Sequence, residues 1–153
     1  MKKIIMIILL GFGLQTAFAQ ENKTYVPDVV QHANYGELKI LFPIRSDNQK
    51  DFTEKLINAE NTYTAVQQYG GKASIKFLMY SSGIKLFINP NQVLSAVIDT
   101  ARGDGVQFLF CNNTMEAMKL HPSDLYFVDK TDLVPAGIPE IAYLENNCYK
   151  AFY

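Results

Sequence analysis

The chain has 153 residues, 48% hydrophobic and 19% charged, with a formal net charge of −1. So even a balance offers no basic surface for nucleic acid and no polybasic segment for membranes. The apolar content excludes a disordered chain, and two cysteines are too few for a disulfide scaffold.

Residues 1–19 read as a secretory signal peptide. Lys2 and Lys3 form a positive head, Ile4 to Leu14 an apolar run, and Ala17-Phe18-Ala19 a small-residue cut site before Gln20. The run is shorter than the ~20 residues a membrane span requires. Removing 19 of the 153 residues leaves 134, a length for one domain. With Lys2 and Lys3 gone, 12 of the 14 basic side chains face all 15 acidic ones, a formal charge of −3. No cysteine follows the cut, so no lipid anchor is expected there. The expected location is periplasmic or secreted, with no membrane contact after cleavage.

Residues 20–36 lack any period and read as an arm, and residues 37–153 as a single domain. Leu38 to Phe42 is a first strand, ended by Pro43. Phe52, Leu56, Ala59, Tyr63 and Val66 recur at helical spacing and stop at Gly70-Gly71. Ser74 to Tyr80 alternates as a second strand, followed by a turn at Ser81-Ser82-Gly83 and a short apolar element from Ile84 to Ile88. Asn89 and Pro90 suggest the N-cap and first residue of a helix whose inner face is Val93, Leu94, Val97, Ile98 and Ala101. Val106 to Phe110 reads as a strand buried on both sides. Asn112-Asn113-Thr114 then opens a short helix through Met115, Ala117 and Met118. Leu125 to Val128 is expected as the fourth strand. Gly137 and Pro139 start a helix carrying Ile141, Ala142 and Leu144, and Tyr149 to Tyr153 is the fifth strand. Long strand-to-strand connections predict a three-layer α/β domain: a mainly parallel five-stranded sheet with helices on both faces.

Ligands of such a sheet sit outside the carboxyl ends of its strands. The loops there are Pro43–Gln49, Ser81–Gly83, Cys111–Thr114 and the region near Asp129–Thr131. Cys111 carries the strongest chemistry among them. A thiol beside a helix start meets unpaired amides that favour the thiolate, the nucleophilic form. The competing reading is a small hydrophobe that ends a buried strand. Catalysis of the hydrolase kind would need a histidine base. His121, in His-Pro-Ser-Asp, reads instead as part of a surface turn, and His32 belongs to the arm. Cys148 opens the last strand whereas Cys111 ends an earlier one, so a bridge between them is not expected. Nothing in the sequence calls for a nucleotide, flavin, haem or metal.

Gly105-Val106-Gln107-Phe108-Leu109-Phe110-Cys111-Asn112-Asn113-Thr114 resembles the "G-V-x-F-x-x-C-x-N-T" segment of DsrE/DsrF-like proteins. Pro122-Ser123-Asp124-Leu125 follows at the family's spacing. Val134-Pro135-Ala136-Gly137-Ile138-Pro139-Glu140-Ile141, with Leu144 and Tyr149, is similar to "V-P-x-G-V-x-E-L-x-x-L-Q-x-x-G-Y". The resemblance implies a flavodoxin-like fold, trimers or hexamers, and in some members sulfur relay through a cysteine persulfide. By position Cys111 would be the sulfur carrier, with Asn112, Asn113, Thr114, Ser82 and Gly83 lining its loops. Tyr80-Ser81-Ser82-Gly83 stands where many relatives have His-Gly-x-Gly. Asn112 replaces a frequent glycine, and so does Cys148, with Asn147 expected to take the left-handed conformation instead.

Two functions follow as expectations. One is an exported, sulfurtransferase-like protein that exchanges sulfane sulfur with a donor or acceptor protein. The other is a non-enzymatic, oligomeric binding module in which Cys111 is packed and the edge loops hold a small ligand or partner; Tyr149, Phe152 and Tyr153 either supply the contact between copies or pack under the helices.

Overall fold

The structure, a computed structural model, describes residues 34–153. The signal peptide expected over residues 1–19, and nearly all of the arm expected over 20–36, lie outside the described residues. The elements in order are β1 (Glu37–Ile44), α1 (Gln49–Gln68), β2 (Lys72–Met79), α2 (Gln92–Gly103), β3 (Gln107–Cys111), α3 (Asn112–Met118), β4 (Leu133–Val134), α4 (Gly137–Asn146) and β5 (Lys150–Ala151). Short 3-10 helices occupy Ser81–Phe87, Pro122–Asp124 and Lys130–Asp132.

The five strands form one sheet in the order β4-β3-β2-β1-β5, and all four pairings are parallel. This is the α/β architecture expected from the alternation of strands and helices, and it is flavodoxin-like as the resemblance implies. Strands β1 to β4 step across the sheet in one direction. Right-handed crossovers therefore put their connections on one face. The β4–β5 connection returns across the whole sheet, so α4 lies on the other.

The two faces bury different amounts. On the first, Phe42, Ile44, Ile75, Phe77, Met79, Phe108 and Phe110 meet Phe52 and Leu56 of α1 and Leu94 and Ile98 of α2. Met115 of α3 joins the same cluster. Phe87 sits at its centre, its ring centroid 6.0 Å from Phe52, 5.3 Å from Phe108 and 4.9 Å from Phe110. On the second face Leu41, Leu78 and Val134 meet only Ile141 and Leu144 of α4, with Tyr149 beside them. A single helix cannot cover five strands. Gln107 is thus exposed and Leu109 half-buried, and β3 is not buried on both sides as its composition suggests.

Two element boundaries depart from expectation for local reasons. Strand β1 runs through Pro43 to Ile44. Phe152 N–H bonds the Leu41 carbonyl, so residues two apart from Leu41 point to the β5 edge, and β5 ends at Ala151. Pro43 therefore lies where no ladder N–H is needed. The α2 cap is Asn91, whose Oδ1 accepts from Leu94 N–H at 2.9 Å, while Asn89 turns to φ 47 ahead of Pro90. Val93, expected to face inward, is exposed.

The fourth strand is Leu133–Val134, not Leu125–Val128. Leu125 enters the first-face core, Tyr126 N–H bonds the Phe87 carbonyl, and Phe127 takes φ 48, which breaks an extended run. The region near Asp129–Thr131 consequently leads into the amino end of β4 rather than lying at the carboxyl edge. The fifth strand shortens to Lys150–Ala151.

Candidate functional site

Strand β3 ends at Cys111, whose backbone (φ −70, ψ 109) is also the N-cap of α3. Its side chain alternates with Phe110, which belongs to the first face, so the sulfur points to the second. There it leaves α3 uncapped and accepts instead from Gly137 N–H of α4, at 3.2 Å. The sequence places the thiol against the amides of the helix that follows it; the amide it meets belongs instead to a different helix, α4. Gly137 is the first residue of α4, where an N–H has no acceptor within the helix. The α4 N-cap is Ala136, which offers no side-chain acceptor. The Cys111 sulfur supplies one from another strand.

This contact lies at a particular place in the topology. Connections after β1, β2 and β3 leave toward the first face, and the connection after β4 leaves toward the second. Strands β3 and β4 are neighbours, with Cys111 paired to Val134. Their boundary is the topological switch point, where open α/β sheets place ligands.

Five flanking residues predicted to line the site come together at this edge, mostly as loop ties. Thr114 Oγ1 accepts from Ser81 N–H at 3.2 Å, joining α3 to the turn after β2. Ser82 Oγ donates to the Arg45 carbonyl at 3.1 Å. A Cβ on Gly83 would lie 2.2 Å from the Ile44 carbonyl oxygen, so this position admits only glycine. Asn113 N–H bonds the Pro135 carbonyl at 3.3 Å, and Asn112 Nδ2 donates to Glu116 Oε1 at 2.6 Å. Cys111 itself is buried, 5% exposed.

Two residues that sequence reasoning left out of the site belong to it. Met79 pairs with Phe110, so the next residue of that strand path, Tyr80, stands beside Cys111. Tyr80 also packs on Gly137: a Cβ there would be 3.0 Å from its Cβ and 3.1 Å from its Cγ. Burial pushes the half-buried Tyr80 phenol above its ordinary pKa, against the opposing charge of Arg45. Arg45 and Tyr153 continue into a cleft of about 280 Å³ at the end of β1, which also contains Lys55 and Asp51. Lys55 Nζ is committed to both Asp51 oxygens, at 2.7 and 2.8 Å. The signal that could have found Gly137 was the glycine of Val-Pro-Ala-Gly, which has no turn to explain it.

His121 caps its 3-10 turn as the sequence suggests, its N–H bonded by Asp124 Oδ2 at 2.7 Å. Cys148 is exposed and precedes β5, three strand positions from β3, or roughly 14 Å across the sheet. Both thiols are free. Tyr149 packs under α4, whereas Phe152 and Tyr153 are 53% and 78% exposed. Among the described residues no three His, Cys, Asp or Glu side chains form a metal-binding group, and no helix is long and apolar enough to cross a membrane.

The sequence matches no family model and no curated protein. Among solved structures it is similar to a protein of unknown function, MTH1491, from Methanobacterium thermoautotrophicum. That likeness has a TM-score of 0.65 at 21% identity and covers 75% of this chain and 97% of the other. At that identity it establishes the α/β fold alone.

Proposed function

We propose that the chain is a DsrE/DsrF-like protein, exported by its first nineteen residues, that carries sulfane sulfur on Cys111. The observation that carries this reading is the Gly137 N–H directed at Cys111 Sγ across the switch point. A backbone amide aimed at the sulfur gives the nucleophile a fixed direction. The Cys111 thiolate attacks the outer sulfur of a donor persulfide or polysulfide. A Cys111 Sγ–S bond forms as the donor's S–S bond breaks, and the donor leaves as a thiolate with the electron pair. An acceptor thiolate reverses the step. No net oxidation occurs, so no cofactor is required.

The partners under this reading are a sulfur donor, an acceptor, and further copies of the chain in a trimer or hexamer. Ile138 and Tyr143 on the outer side of α4, 64% and 62% exposed, together with Phe152 and Tyr153, support an assembly. The test is the mass of the folded protein after exposure to polysulfide, with Cys111→Ser as the control.

A second reading is a non-enzymatic binding module with Cys111 as a structural residue. Its support is the burial of Cys111 and the capping service its sulfur performs for α4. It expects Cys111 to resist iodoacetamide until the chain unfolds.

A further inference from the structure

We infer that Gly137 is the positioning residue for the Cys111 sulfur, and that the contact between Gly137 and Tyr80 fixes it in place. The inference rests on the sulfur-carrier reading only for its purpose, since the positioning itself can be measured without any sulfur donor.

Helix α4 begins without a side-chain cap, because Ala136 has none to offer. Its first amide is satisfied by sulfur rather than by a carbonyl or hydroxyl oxygen. That exchange is specific to this junction. Helix α1 is capped by Asn48 Oδ1, which accepts from Lys50 and Asp51 N–H, and α2 by Asn91 Oδ1. At α4 the ordinary cap is missing, and Cys111 arrives from β3 to serve in its stead.

The glycine is favoured by what lies on its other side. Cβ and Cγ of Tyr80 would stand 3.0 and 3.1 Å from any Cβ at position 137, and Cδ2 would stand at 3.4 Å. Tyr80 is held in turn by its own N–H on the Ile44 carbonyl, at 3.0 Å. Gly137 is therefore seated between a wall of Tyr80 and the Cys111 sulfur. An alanine there displaces the first turn of α4 and weakens the N–H···S bond. Gly137 acts through Cys111, by setting the direction of the nucleophile.

The experiment uses the full chain carrying Cys148→Ser, labelled with nitrogen-15. As alkali ionises the Cys111 sulfur, the Gly137 amide proton should move downfield, and Cys111→Ser should abolish that movement. A Gly137 amide that ignores the sulfur overturns the inference. In Gly137→Ala, the rate of Cys111 alkylation by iodoacetamide should fall about tenfold, the consequence of losing one charge-assisted hydrogen bond. Adding Tyr80→Gly, which removes Cβ, Cγ and Cδ2 from the contact, should recover more than half of the loss. An alanine chain that reacts as fast as its parent, or one that Tyr80→Gly fails to rescue, contradicts the positioning role. Should Gly137→Ala not fold, the amide titration decides alone. A chain that passes these tests yet never takes up sulfane sulfur retains the positioning and loses the carrier function, so the two failures are distinct.

Discussion

The Cys111 sulfur and the Gly137 amide lie 3.2 Å apart, closing the seam where the crossovers of the sheet change sides. The contact ties the end of β3 to the start of α4, elements separated in sequence by α3, two 3-10 turns and β4. It is long-range and buried.

Cys148 occupies φ 69, and its N–H and that of Tyr149 bond the Glu145 and Leu144 carbonyls. This is the left-handed closure of α4, with a side chain where glycine is favoured. Asn147, expected from the sequence to adopt that conformation, has φ −97 instead. Replacing Cys148 by glycine should raise the unfolding free energy by about 1 kcal/mol in a urea titration. Cys148→Val should lower it.

Gly83→Ala forces a methyl onto the Ile44 carbonyl oxygen and carbon, 2.2 and 2.8 Å from the ideal Cβ. Those atoms belong to β1 and cannot retreat without breaking its ladder with β2. The substitution should cost about 3 kcal/mol or more, read as a lowered midpoint in thermal unfolding. Ser82→Ala next to it loses one exposed side-chain bond and should cost less than about 1 kcal/mol.

Phe87 is fully buried and meets Phe52, Phe108 and Phe110, linking α1 to β3. Phe87→Ala should destabilise the domain by about 3–5 kcal/mol. Phe127→Ala, at a ring 74% exposed, should change stability far less. A comparison of the two by chemical denaturation checks where the core lies.

Tyr63 and Tyr80 both titrate above the ordinary 10.0, each chiefly because burial opposes the phenolate. A phenol that holds its proton more tightly folded than unfolded stabilises the fold at lower pH. That contribution is lost as pH rises from 10 through the raised value. Stability should therefore fall above pH 10, and Tyr63→Phe should flatten the fall, as measured by denaturant midpoints across that range.

The order of strands and helices was legible because the periods were strong. The stripe from Phe52 to Val66 is buried along α1 except for the half-buried Tyr63, and the alternation in β2 puts Ile75, Phe77 and Met79 in one cluster. Short elements were not legible. Leu125 to Val128 has the composition of a strand, yet the positive φ of Phe127 is a tertiary choice that no local pattern announces. Strand β4 has two residues, too few for any period. At the site, Cys111 could be found because strand ends and cysteines are visible in sequence. Gly137 left only the trace of a glycine at a helix start, since its role depends on the return of α4 across the sheet and on a tyrosine from β2's end.

The most direct test of the sulfur-carrier account is intact mass spectrometry of the folded, reduced protein after treatment with polysulfide. Cys148→Ser should gain about 32 Da, the mass of one sulfur atom in a persulfide, and lose it again to a small thiol. Adding Cys111→Ser should leave the mass unchanged. A Cys148→Ser chain that never gains sulfur, under conditions that convert a model thiol, would contradict the account and leave Cys111 as the cap of α4.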